Sequence, residues 1–399
     1  MARRAAQAKP LKRSEPPQFA PKAVDVTVSE VKTSADRDAF VKFQADLYGD
    51  DPNFVPPIVA ERRDFIDPER NPFFTHARGA MFLAHRAGKV VGRIAAVNDT
   101  RYNTFHEVSW GTFGLFECVN DPGVASALFQ AAAGWLKSEG LSPMVGPLNL
   151  SFHHDIGLLV EGFDQPPGMG LAYNPRYYAR LFETNGFQKH KDLFCYELTA
   201  EQLPEKVTRF AQRVRERGQI TVRRVDPSAT EEEGRRVKEI YDAMLKRGWG
   251  FFPLTDAEFE QGVNRLRPII MLRPEMCLMA EADGVPVAYC ITVPDMNQAL
   301  RAAQGRITRF GLPIGLLKMA WATRKIERVR VLMFGIKPGF RRRGIDALIV
   351  DETFREAKKL GYKTGELGLV AEDEPLLIRT ITSTGGRKTR TVRLYERAL

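Results

Sequence analysis

Four cations and two glycines crowd a short stretch of this 399-residue chain: Lys337, Gly339, Arg341, Arg342, Arg343 and Gly344. Before them, Val331 to Ile336 is apolar enough for a strand. After them, Asp346 to Leu360 carries a helical pattern that Gly361 ends. Strand, glycine turn and helix together leave backbone N–H groups free at the helix start, where an anion can meet them. Glycine at 339 and 344 keeps side chains out of a ligand's way. Each arginine contact to a phosphate adds about 1.5–3 kcal/mol, less where solvent screens it. The chemistry this stretch can do is to hold a phosphorylated, nucleotide-type ligand. By its charge alone it also fits a solvated arginine cluster on a helix shoulder.

The elements around it occur twice. Residues 25–32 alternate as a half-buried strand, and a helix capped by Ser34 runs from about 36 to 47. A hairpin at 81–86 and 90–97 follows, then a strand at 108–116, a helix at 124–139 and a strand at 144–150. A short helix at 176–184 and a strand at 194–198 close the first series. After residue 205 the order returns, with a strand at 220–225, a long helix at 230–247, a hairpin at 277–281 and 285–293, and a strand at 329–336. Segments Phe113–Gly140 and Phe334–Gly361 have the same length and the same strand–turn–helix pattern. One unit used twice is the economical reading.

The second copy resembles the acyl-CoA pyrophosphate loop of the GCN5-related N-acetyltransferases, in which a strand is followed by R-x-x-G-x-G/A and a helix. The match runs from Arg341 through Gly344 to Ile345, behind the strand Val331 to Ile336. Asp346 departs from the pattern, standing where the family has glycine or alanine. The first copy keeps Gly123, Val124 and Ala125 but has Asn120, Asp121 and Pro122 in place of the three arginines. Proline has no N–H to offer and Asp121 repels phosphate, so that loop reads as disabled. Tyr178 to Phe187 is similar to the family's closing helix and turn, with Phe182 where a tyrosine acid often sits.

The resemblance covers residues 25–399 and implies an α/β fold (mixed-sheet α+β) of two tandem acetyltransferase-like domains. The division would fall at 23–200 and 201–399, with a join near 199–215. The resemblance further implies acetyl-CoA or a longer acyl-CoA as co-substrate, held by Phe334, Gly335, Ile336, Lys337, Gly339, Arg341, Arg342, Arg343, Gly344, Ile345 and Ala347. Amides near Phe334–Ile336 would polarise the thioester. An amine of a small molecule or peptide would attack directly. An amine with a pKa of about 10.4 is only ~0.1% neutral near pH 7.4, so a base or a desolvating pocket is needed. Glu366, working through a water, is the first candidate base, followed by Glu372 and Asp373. Tyr395 is the candidate acid for the departing thiolate.

A second cluster lies between the two copies of the unit. Ser151, His153, His154 and Asp155 open a long segment that ends near Asn174, Arg176, Tyr177 and Tyr178. His154, Asp155, Asn174, Tyr177 and Tyr178 are candidates to line a substrate pocket. Adjacent histidines chelate poorly from one face, and no metal is expected. The segment 311–321 is apolar enough to cover a cleft or touch lipid, beside the blander reading of a packed helix.

The net charge of +10 calls for an anionic partner. Part of it lies in residues 1–22, a basic Ala/Pro-rich tail read as disordered and solvated rather than as a nucleic-acid arm. No apolar run reaches the ~20 residues of a membrane span, no secretory h-region follows Met1, and four scattered cysteines suit a reducing cytoplasm. The rival to an enzyme is a non-catalytic module of this fold binding a macromolecule.

Overall fold

The computed structural model describes residues 26–49, 51–201, 203–244, 249–303 and 314–399. The basic tail at 1–22 and the start of the 311–321 segment lie outside them. The first half of the chain contributes β1 (Thr27–Glu30), α1 (Ser34–Tyr48), α2 (Val59–Ile66), β2 (Ala77–Arg86), β3 (Lys89–Asp99) and α3 (Thr100–His106). It continues with β4 (Gly111–Cys118), α4 (Pro122–Ser138), β5 (Met144–Gly146), β6 (Leu158–Glu161), α5 (Tyr178–Thr184) and β7 (Gln188–Thr199). The second half opens with α6 (Glu205–Glu216), β8 (Ile220–Arg224), α7 (Thr230–Met244), α8 (Asp256–Ile270), β9 (Cys277–Ala282) and β10 (Val285–Pro294). It ends with α9 (Met296–Ala303), α10 (Ile314–Thr323), β11 (Arg328–Ile336), α11 (Ile345–Lys359), β12 (Thr364–Ala371), α12 (Pro375–Ser383) and β13 (Arg387–Arg397).

Local chemistry explains the boundaries. Thr33, not Ser34, caps α1, through a reciprocal capping box with Asp36. Along α4, Val124, Leu128, Ala132 and Leu136 recur at helical spacing and are all buried against β2 and β3. The stretch expected as a join is largely helical. Val207, Phe210, Ala211 and Val214 make an apolar stripe on α6, and Ala211 and Val214 share a core with Ile345, Leu348 and Ile349 of α11.

The strands form one sheet in the order β1-β2-β3-β4-β5-β13-β7-β12-β11-β10-β9-β8, with β6 on β13. Each copy of the repeat is a parallel pair, β4 with β5 and β11 with β12, joined through its helix. The closing strands are exchanged. β13, last in the chain, lies beside β5 of the first half, and β7 of the first half lies beside β12 of the second. β7 and β13 pair antiparallel with each other from Glu197↔Arg387 to Gln188↔Glu396, joining the halves through the middle of the sheet.

Candidate functional site

A parallel pair that splays apart opens a V, and the two halves treat theirs oppositely. In the second half β11 pairs with β12 only from Arg328↔Thr364 to Val331↔Leu367. On its other side β11 stays with β10, with a register shift at Leu332 between Val331↔Thr292 and Met333↔Ile291. Lys337 donates to the Val287 carbonyl. Alternation along the antiparallel pair then turns the N–H groups of Ile336 and Phe334 the other way, into the V. Among the described residues no strand, loop or side chain hydrogen-bonds the β11 edge there, and Val331 to Phe334 are half-buried.

The arginine loop caps the open end of this V. Gly344 takes the N-cap of α11 in the left-handed region, at φ +81°, and no side chain caps the helix. Its first-turn amides are therefore left for a ligand. Arg341, Arg342 and Arg343 are exposed around it. Arg343 lies over the Phe340 ring at 4.8 Å. Lys337 is committed elsewhere, to Glu239 at 2.5 Å. A side chain on Gly344 would meet Val214 of α6 at 2.7 Å, which accounts for glycine there twice over. Asp346 makes no hydrogen bond or ion pair among the described residues.

At the closed end of the V lies a buried charge cluster. Glu366 of β12 sits across from Arg330 of β11, and Arg390 reaches in from β13, its Nε 3.8 Å from Glu366. Arg328 is held by Asp295 at 2.6 Å. A strap from the first half, Gln165 to Met169, closes over the cluster. Arg390 donates to the carbonyls of Gln165 and Pro166, Arg330 to that of Met169 at 3.3 Å, and the Met169 N–H donates to Asp295 at 3.0 Å. Glu366 Oε2, Arg330 Nη1 and Arg390 Nη1 are buried with no partner. Burial pushes the Glu366 carboxyl above its ordinary range, against the pull of Arg330, Arg328 and Arg390. Gly168 lies against that carboxylate so closely that a Cβ would come within 1.7 Å of Oε2.

The first V is sealed by its own chain. Leu148 donates to the Phe113 carbonyl, and the Asn149 side chain accepts from the Leu115 N–H at 2.9 Å. The Cys118 N–H donates to the Tyr178 hydroxyl, which itself donates to Glu117, and Tyr177 donates to the Cys118 carbonyl. All eight residues of β4 are buried. At the loop, Asp121 accepts from Gly123 N–H at 2.8 Å and Val124 N–H at 3.4 Å, and pairs with Arg86 at 2.6 Å. A carboxylate occupies the amides that a phosphate would use, and α4 starts at Pro122, earlier than its counterpart.

The structure thus brings Phe334 to Ala347 together at one V with Glu366 at its base, and it redirects other candidates. Tyr395 travels with β13 into the first half's core, beside Phe182 and near Glu183 at 3.4 Å, with its hydroxyl pushed up to about 12 by burial. It is removed from the second V because the closing strands are exchanged. Glu372 and Asp373 are tied to Lys189 and Lys191 at 2.6 Å each, in surface pairs outside the V. Asn174 clamps both backbone groups of Leu159, and Tyr177 and Tyr178 bond to Cys118 and Glu117, so all three are hydrogen-bonded within the first half.

His154 and Asp155 pack against the first half, beside the point where His153 reaches Tyr241 and Phe252 of the second. Asp155 pairs with Arg62, and His154 lies edge-on to Phe65. Burial drives His154 down to about 4 and its neighbour His153, beside Phe252 and Tyr241, to about 3. His76 meets Glu258 at 3.1 Å across the seam between the halves, and Asp99 of its own half at 3.2 Å. Those carboxylates raise it to about 9 despite burial.

The residues that sequence reasoning passed over are Arg328, Arg330, Arg390, Asp295 and Gly168. Two arginines alternating in an otherwise apolar strand were the available signal for the first pair. Nothing local announces a strap that acts on the other half.

Paired parallel V-shaped units of this kind define the tandem GCN5-related N-acetyltransferase fold. The chain superposes on a tandem GNAT protein from the clavulanic acid biosynthesis pathway with a TM-score of 0.51 at 10% identity, over 94% of this chain and 98% of that one. It also superposes on the GCN5-related glucosamine N-acetyltransferase region of a fungal multi-domain GH3 β-N-acetylglucosaminidase, with a TM-score of 0.52 at 15% identity. That match covers 95% of this chain and 38% of the longer fungal protein.

Sequence gives the narrower placement: the chain belongs to the family of the bacterial ceramide synthase of Caulobacter vibrioides. The two are 33% identical over 384 residues, 94% of this chain and 98% of that protein. Protein YghO of Escherichia coli is 30% identical over 372 residues, 91% of this chain and 93% of that one. No family model matches the sequence. Among the described residues no helix is long and apolar enough to cross a membrane.

Proposed function

We propose that this protein moves an acyl group from acyl-CoA to an amine, in the V of its second half, and that residues 23–200 and 201–399 are the two copies of the fold. The observation that carries the reading is the free β11 edge running into an uncapped helix behind three exposed arginines. Phosphates fit the α11 amides and the arginines, and the pantetheine arm fits the edge. The thioester carbonyl then lies near the N–H groups of Phe334 and Ile336, which stabilise the oxyanion. Glu366 is the base. Once the strap gives access, it takes the proton of the attacking amine through a water as the C–N bond forms and the C–S bond breaks, and the proton is returned by the same route to the departing thiolate. Its raised pKa suits both transfers.

The relative's name supports a finer reading in which the acceptor is the amine of a long-chain base and the product a ceramide-type amide. A non-catalytic module would fit two sealed clefts, and here only the first is sealed.

The test is calorimetry with acetyl-CoA and a long-chain acyl-CoA. Saturable micromolar binding is expected, falling at least about a hundredfold in Arg341→Glu with Arg343→Glu, whose exposed side chains leave the core alone. Binding unchanged in that variant overturns the placement.

A further inference from the structure

Helix α10 presents a surface that the acyl-transfer reading does not use. Its inner face, Met319 and Ala322, packs on a core of Met276, Met296, Ile326, Val329 and Tyr362. Its outer face carries Leu316, Leu317 and Trp321, which are 45%, 66% and 60% exposed. Packing one apolar face while exposing another leaves a ridge that water solvates at a cost.

The charges along the ridge itself are all of one sign, and the first carboxylate after it, Glu327, is paired with Lys363. Lys318, Arg324 and Lys325 are exposed and form no ion pair among the described residues, and no acidic residue occurs from Ile314 to Ile326. Lys325 Nζ stands 3.8 Å over the Trp321 ring. Leucines at the crest, an indole at the shoulder and cations at the flank match the depth profile of a lipid surface, with acyl chains, then interface, then anionic headgroups. A protein partner of ordinary mixed charge would not require cations alone.

We propose that α10 docks this protein on the face of an anionic bilayer, inserting Leu316, Leu317 and Trp321 while Lys318, Arg324 and Lys325 meet lipid phosphates. The docking itself stands apart from the acyl-transfer reading. Its consequence rests on that reading. Met169 of the strap packs against the same core that supports α10, and its carbonyl accepts from Arg330 at the base of the second V. The docked helix therefore brings the acceptor end of the cleft within one packing layer of the membrane, where a long-chain amine would reside.

The test is co-sedimentation of the full chain with vesicles of phosphatidylcholine alone, and of phosphatidylcholine mixed with phosphatidylglycerol. Binding is expected to be about tenfold stronger to the anionic vesicles and to weaken with salt. Leu317→Glu with Trp321→Glu should lower it by at least tenfold, and Lys318→Glu with Lys325→Glu should erase the preference for phosphatidylglycerol. Acyl-CoA calorimetry on the same variants should stay at wild-type values, which separates a failure here from a failure of the cofactor site. Absence of vesicle binding, or equal binding by wild type and the Leu317/Trp321 variant, overturns the proposal. So does a wild-type dimer that this variant dissociates, since a second copy would then cover the ridge.

Discussion

The two halves carry the same strand–turn–helix unit and spend its backbone differently. In the first, β4 is buried throughout, its splayed edge is met by Leu148, Asn149, Tyr177 and Tyr178, and the helix start is occupied by Asp121. In the second, the β11 edge and the α11 start have no protein partner among the described residues, and the charge has turned from acidic to basic. The fold repeats one unit, and ordinary hydrogen-bond satisfaction closes its splayed edge in the first half and leaves it open in the second.

The comparison breaks most visibly at Glu366. Replacing it with glutamine should lower acyl transfer by about 10²–10⁴-fold while acyl-CoA affinity stays within about twofold. Unchanged turnover would move the base elsewhere. Next comes the strap. Gly168→Ala pushes on the Glu366 carboxylate without touching the arginine loop, so turnover should fall about tenfold and the acidic limb of the pH–rate profile should shift. A fall in turnover with the profile unmoved would mean simple loss of structure.

In the sealed V, Tyr178→Phe strands the Cys118 N–H and one Glu117 oxygen. It should cost about 1–3 kcal/mol of stability by urea unfolding. Acyl-CoA should still bind at one per chain, because Asn149 and Asp121 keep the first cleft closed; two per chain would contradict the contrast.

The smallest effect lies at the seam between the halves. His76, raised to about 9, stabilises fully below its ordinary value near 6.5, and that share is lost as pH rises through about 9. His153 and His154, lowered to about 3 and 4, act oppositely. Unfolding lets them take up protons, so stability drains as pH falls below 6.5. The urea midpoint should peak near pH 6.5, and His76→Gln should flatten the alkaline limb alone.

Much of this was legible in the residues themselves. The repeat, the hairpins, the arginine loop and the disabled first loop follow from local spacing, because turns and helix starts are decided by a few neighbouring residues. The exchange of closing strands was not legible. β7 and β13 both read as final strands, and nothing in their alternation says which parallel pair each will join. The misplacement of Tyr395 follows from that. The apolar stripe of α6 was present at helical spacing, but its many charges hid it. The sealing of the first V and the reach of the strap depend on segments distant in sequence, which periodicity does not report.

The exchange of closing strands has a consequence for how the chain comes into being. The strand that finishes the first half, β13, is made after every other strand among the described residues, and it belongs at the centre of the sheet. Until then the β5 edge of the early half stands open, and its core lacks Tyr395 and Leu399. The two copies therefore complete each other: a chain cut near residue 380 would lack the strand that pairs with β5 and with one edge of β7, so neither copy is expected to fold as a self-sufficient module.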